Sequence, residues 1–247
     1  MAQYESVRSR NTVGVRTAEV DQGLRAHMNR VYGLMSVAML LTGGVAWAVG
    51  TAPSLMAIFR DPVTMQPNIL GWAVMFAPLI MVFAFAGMIN RMSAATAQLV
   101  FYSFAAVMGL SITWIFAVFT GVSIAQTFLV TAVAFAGLSL YGYTTKKDLS
   151  GLGTFLMMGV IGLIVAMVIN IFLQSPAMMF AISIIGVLIF AALTAYDTQA
   201  IKNEYVAHAA QGDQEWLQKS AIMGALRLYL DFINMFMFLL QFLGRRE

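Results

Sequence analysis

Two aspartates lie in stretches of this chain that are otherwise apolar. Asp197 falls within Phe190-Ala-Ala-Leu-Thr-Ala-Tyr-Asp-Thr-Gln-Ala-Ile201, and Asp231 within Leu226-Arg-Leu-Tyr-Leu-Asp-Phe-Ile-Asn-Met-Phe236. An ionised carboxylate at the centre of a bilayer costs about 2.5 kcal/mol or more, so such residues are rare and face a bundle interior or a wet cavity. Two of them on neighbouring spans are expected to face each other or one such cavity. Adjacent carboxylates cannot both ionise cheaply, so they share a proton and respond to pH. Once deprotonated they offer hard oxygen ligands, which suit Ca²⁺ better than soft metals. Asp197 and Asp231 are therefore candidates both for pH sensing and for contact with a calcium ion.

Arg91 stands at the end of the second apolar stretch, at a depth compatible with Asp197. An arginine there would hold a carboxylate ionised and form a latch that breaks when the acid is protonated. Tyr196 and Gln199 flank the first acid, and Tyr229 and Asn234 the second, in positions to orient the carboxyls by hydrogen bonding. Asn234 follows Asp231 by three residues and shares its helix face. Plainer readings stand beside these. Asp197 at a wetted helix end, Asp231 in a structural hydrogen bond or paired with Arg227 one turn away, and Arg91 as a topology anchor all need no gate. Asn170 is a further buried polar candidate, and Lys146-Lys147-Asp148 is most simply a solvated loop.

The elements that must position these groups follow from composition. The chain is 60% hydrophobic and 10% charged, with mean hydropathy +0.81, against about 45–50% and about 25% for ordinary soluble domains. That predicts an all-α membrane protein. Spans of about 20 apolar residues fall at 31–50, 70–90, 95–119, 122–144, 153–174, 177–199 and 221–243, seven transmembrane helices in all. The polar residues of the last stretch predict that the other helices surround it, or that it is a re-entrant or protein-buried helix. Residues 1–30 are read as a cytoplasmic tail, with a short helix along the membrane surface over 15–30, and residues 31–247 as a single transmembrane domain. Pro53, Pro62 and Pro67 disfavour helix between the first two spans, and Pro78 is expected to kink the second.

Arg and Lys cluster in the tail and in the loops on the same side, which puts the N-terminus in the cytoplasm; the basic Arg245 and Arg246 leave the side of the C-terminus open. No cysteine is present, and the two histidines, His27 and His208, lie outside the expected spans. Thiol chemistry, disulfides, a His-based triad and a His-rich metal site are thereby argued against, and no resident cofactor is expected. A net charge of +3, carried in loops, argues for membrane topology rather than nucleic-acid binding. The expected surroundings are a lipid bilayer.

Three segments together carry a resemblance: Tyr141-Gly-Tyr-Thr-Thr-Lys-Lys-Asp-Leu-Ser150, Ala195-Tyr-Asp-Thr-Gln199 and Leu228-Tyr-Leu-Asp-Phe-Ile-Asn234. In this order, with this span count, the chain resembles the Bax inhibitor-1 family of seven-helix membrane proteins, in particular its bacterial inner-membrane branch. The resemblance implies six helices wrapped around a central seventh. It also implies a pH-sensitive calcium leak gated by Asp197 and Asp231, with Arg91 as the latch. Arg227 departs from the family pattern, which has a small or polar residue there, and a cation so near Asp231 weakens the pull on calcium. Some bacterial members of the family are linked to modulating a membrane-bound AAA protease, which makes a non-conducting regulator the alternative. A further alternative, an intramembrane aspartyl protease, also places one aspartate on each of two helices. Here no Gly-x-Gly precedes Asp231 and no Pro-Ala-Leu follows it, so no enzyme is expected. The lack of a lysine in the seventh span argues against a retinal-type receptor.

Overall fold

In the computed structural model the described residues are 2–61, 64, 66–208 and 213–245, with side chains from Asp21 onward. They form α1 (Ala2–Gly50), α2 (Pro53–Phe59), α3 (Ile69–Met88), α4 (Ala94–Ser111), α5 (Ile115–Val118), α6 (Gly121–Thr144), α7 (Leu152–Leu173), α8 (Pro176–His208) and α9 (Gln214–Leu243). No strand occurs among them apart from a single bridge between Arg60 and Pro67. Seven helical segments are long and apolar enough to cross a membrane, with α4 and α5 together making one of them. This is a multi-pass integral membrane protein. Its outward faces carry large apolar side chains, as a bilayer setting requires: Ile69 is 91% exposed and Phe172 82%.

Helix boundaries follow local chemistry. Asn68, Ser93, Thr120 and Asp213 cap α3, α4, α6 and α9, each accepting from a backbone N–H of the first turn, as short polar side chains do at N-termini. Pro53 opens α2 rather than preventing it. Proline is tolerated at the first helical position, where its missing N–H has no partner to lose, so the expected irregular loop contains a helix. Pro67 does lie outside a helix, and Pro62 falls outside the described residues. Between α7 and α8 the chain reverses at Gln174, in the left-handed conformation at φ 47°. Asn170 closes this joint by accepting from the Ser175 N–H at 3.0 Å, so its role is to end a helix.

The tail differs from expectation. α1 runs unbroken from Ala2 into the first span, and Leu24, His27 and Met28 are buried. His27 packs its ring against Tyr205 of α8 at 4.9 Å. Residues 21–30 therefore extend the bundle instead of lying on the membrane surface.

α9 is the most buried span, with 67% of its apolar window enclosed against 11% for α3. It packs chiefly against α1, α4, α6 and α8, while α3 leans on α4 and α7 on α8. It also runs the full length of the bundle. Beyond its C-terminus the Arg245 carbonyl accepts from Thr120 N–H at 3.1 Å, and the Arg245 N–H donates to Ser123 Oγ at 2.9 Å. Both partners belong to the start of α6, at the end of the bundle opposite His27. The last helix thus traverses the bundle from end to end, and its end lies across the bundle from the start of the first span.

Candidate functional site: an acid pair between α8 and α9

α8 and α9 run antiparallel and make the most extensive helix contact in the molecule. Two glycines permit it. A Cβ on Gly186 would come within 2.6 Å of the Phe238 ring, and one on Gly224 within 3.2 Å of Ile201. Small residues let helix backbones approach where lipid offers no hydrophobic drive. Between these two glycine contacts Asp197 and Asp231 meet, their carboxyls within hydrogen-bonding reach of each other. Asp231 is 4% exposed, and its Oδ2 has no hydrogen-bond partner among the described residues. Asp197 is half-buried. A buried carboxylate oxygen without a donor is costly, and a proton shared with Asp197 would supply the missing bond.

The cation that Asp197 feels is Arg227. Its guanidinium lies 3.6 Å from Glu204 Oε2, on the stretch of α8 one to two turns beyond Asp197. Arg227 therefore faces the α8 acids, not Asp231 on its own helix. Arg91 ends the short 3₁₀ turn after α3 and is exposed. Among the described residues no ion pair joins it to either aspartate, because α3 is an outer helix that leans on α4 and not on α8 or α9.

The four flanking polar residues hold the scaffold, not the acids. Gln199 accepts from Leu149 N–H and donates to the Lys147 carbonyl, both at 2.8 Å, clamping the loop that joins α6 and α7. Tyr229, fully buried, hydrogen-bonds Thr42 Oγ1 at 2.7 Å. Thr42 donates onward to the Ala105 carbonyl at 2.8 Å, so the tyrosine hydroxyl is the donor and α9 is tied to α1 and α4. Asn234 donates to the Leu230 carbonyl of its own helix at 2.8 Å. Tyr196 packs over Gly153 of α7.

Sequence reasoning missed a chain of hydroxyls beside Asp197. Thr198 donates to the Thr194 carbonyl at 2.7 Å, so Ser139 donates to Thr198 at 2.9 Å and Tyr32 to Ser139 at 2.6 Å. The chain links α1, α6 and α8. Serine and threonine are common in membrane helices, and only the three-helix geometry distinguishes these. Gly142 was also silent in sequence; a Cβ there would strike the Ala195 carbonyl oxygen, so its absence lets α6 touch α8 two residues before Asp197.

The family model described as inhibitor of apoptosis-promoting Bax1 matches residues 24–247. The chain belongs to the Bax inhibitor-1 family. Among its relatives, the inner membrane protein YbhL of Escherichia coli is 43% identical over 225 residues, covering 91% of this chain and 94% of its own length. Uncharacterized protein RP147 of Rickettsia prowazekii is 42% identical over 229 residues, 92% of each chain. A protein of Caulobacter vibrioides is 43% identical over 228 residues, 91% of this chain and 90% of its own. For a Bax inhibitor-1 family protein the match begins at Leu24, where the first helix enters the bundle, and takes in both aspartates.

Proposed function

We propose that this Bax inhibitor-1 family protein is a pH-sensitive cation leak that favours Ca²⁺, with the Asp197–Asp231 pair as its gate. The observation that carries the reading is the buried Asp231 carboxyl beside Asp197, one of whose oxygens has no hydrogen-bond partner among the described residues. Among the described residues no third His, Cys, Asp or Glu joins the two acids. Calcium takes six to eight oxygens, so two carboxylates suit an ion in transit, not one in storage.

Arg227 serves here as the latch that sequence pattern suggested for Arg91. By the positive-inside rule the end of the bundle bearing Arg25, Lys146, Lys147, Lys202 and Lys219 faces the cytoplasm, and it is from there that protons reach the pair. At higher pH the pair loses its proton, Asp197 holds Arg227, and the seam is closed. At lower pH the proton returns, Asp197 releases Arg227 to Glu204, the pairing seen here, and the close-packed seam is left unlatched. The setting is a bacterial inner membrane, as the name of the Escherichia coli relative supports.

Calcium flux into liposomes bearing the purified protein, followed from pH 6 to 8, tests this. Flux is expected to rise toward pH 6, to lose its pH dependence in Asp197→Asn and Asp231→Asn, and to rise at pH 8 in Arg227→Gln. An unchanged pH profile in both aspartate variants removes the gate. Absence of flux at every pH points instead to a non-conducting regulator of a membrane partner such as an AAA protease, which crosslinking in native membranes would reveal.

A further inference from the structure

α1 and α6 are joined by the Tyr32–Ser139 hydrogen bond and otherwise part, leaving a crevice floored by α9. Two cavities occupy it, about 850 Å³ toward the basic end and about 920 Å³ toward the other, and they share Met39, Leu40 and Phe128. The first runs along α1 from Arg25 to Leu40, about 22 Å at 1.5 Å per residue. That is the depth of one leaflet, counting half of a roughly 30 Å hydrocarbon core plus its headgroup layer.

Polarity along this cavity is graded. Arg25, Asn29 and Tyr143 stand at its mouth, Tyr32 and Ser139 lie further in, and Met39, Phe128 and Phe232 line its depth. No acidic residue lines it. Arg25 is exposed and makes no ion pair among the described residues, although Asp21 lies one turn earlier on the same helix. A second cation backs the mouth: Lys202 Nζ donates to the Tyr143 carbonyl at 2.8 Å and stands 5.3 Å from that ring's centre.

We infer that this cavity binds an anionic phospholipid from the leaflet at the basic end, its phosphate against Arg25 and its acyl chains along Met39, Phe128 and Phe232. Basic pockets between membrane helices take anionic headgroups in this way. A second copy docked here about a two-fold axis along the membrane normal would bring Arg25 against Arg25, since such an interface pairs a patch with itself. An apolar partner helix would leave the guanidinium unanswered. The site does not depend on ion conduction, so it stands or falls separately from the proposed leak.

The test is native mass spectrometry of the delipidated full chain, titrated with phosphatidylglycerol or phosphatidylcholine. Wild type is expected to retain one phosphatidylglycerol in preference to phosphatidylcholine by about fivefold, the worth of one basic residue at a lipid surface. Arg25→Gln should abolish the preference, and Ala136→Trp, filling the cavity wall, should displace both lipids. Lys146→Glu, an exposed loop cation outside the cavity, should leave the preference intact. Each variant is first checked for a monodisperse elution peak, and Arg25→Lys, which keeps the charge, should restore the preference if Arg25→Gln loses it. Equal retention of the two lipids, an unaffected Arg25→Gln, an equal loss in Lys146→Glu, or a dimer that excludes lipid would each overturn the site.

Discussion

α9 is flanked on one side by the tight packing of α8 and α6, and on another by the open crevice between α1 and α6. Both regions are rich in small residues. Around α8 those residues are filled by their neighbours: Gly142, Gly186 and Gly224 have atoms of another helix where a Cβ would go. In the crevice, Gly43, Gly44 and Gly121 line a cavity and have nothing within 4 Å. The same residue type makes contact in one place and leaves room in the other. Close packing holds two acids together in a buried seam, while the crevice presents an amphiphile-shaped surface to the lipid.

The largest expected effect breaks this contrast directly. Gly142→Ala drives a methyl into the Ala195 carbonyl, which belongs to a helix backbone and cannot turn aside. Overpacking of this kind costs about 1–3 kcal/mol, and the melting temperature in detergent should fall accordingly. Gly43→Ala adds its methyl to open space and should instead leave stability unchanged or gain up to about 1 kcal/mol from helix propensity. Equal losses in both variants would mean that the crevice is closed by packing.

Next in size is Gln199→Leu. It leaves the Leu149 N–H and the Lys147 carbonyl without their partner, at about 1–3 kcal/mol for a buried group left unsatisfied. Faster proteolytic cutting within residues 145–150, with a lower melting temperature, is the expected reading. Tyr229→Phe is milder. It deletes the donor to Thr42, yet Thr42 keeps its bond to Ala105, so a loss of about 0.6 kcal/mol is expected, the average for hydrogen bonds between membrane helices. A loss several times larger would show that the tyrosine joins α9 to α1 and α4 by more than this bond.

Much of this architecture was legible in the sequence. Continuous apolar runs located all seven spans, because length and hydropathy decide what crosses a bilayer, but they missed the seven to ten residues by which α1, α8 and α9 extend beyond their apolar stretches. Asp197 and Asp231 stood out for the same reason, and α8 and α9 bring them together. What the sequence did not disclose was partnership. Arg91 and Arg227 are both basic residues near a predicted helix end, and only the placement of α3 outside the α8–α9 contact separates the one that reaches the acids from the one that does not. Tyr196, Gln199, Tyr229 and Asn234 were rightly seen as polar residues in apolar surroundings, but adjacency in sequence misdirected their roles. A side chain two residues from an aspartate on a helix is turned about 200° from it, onto the opposite face, so it serves another neighbour. Gln199 reaches the α6–α7 loop and Tyr229 reaches Thr42 for this reason. The 21–30 segment misled because its charged residues mark a membrane surface, while Leu24, His27 and Met28 form a buried stripe against α8.

The smallest expected effect compares the buried acids with one that water solvates. Asp148 is exposed and accepts from the Ser150 N–H at 2.9 Å, and hydrogen bonds from Ser150 hold its carboxyl below the usual aspartate range. A group whose folded value is depressed contributes order above the unfolded value, near 3.9, and loses it as pH falls through the lower folded value. The Ser150 amide resonance should therefore titrate with a midpoint below about 3.9, and the titration should vanish in Asp148→Asn, whose amide oxygen can still accept the bond. The loop should hold its place at neutral pH in both proteins, because Gln199 clamps it independently. A midpoint at or above the ordinary value would mean that the Ser150 contact is not kept in solution. A carboxylate supplied with an N–H and water needs no second acid, and that is the condition Asp231 lacks.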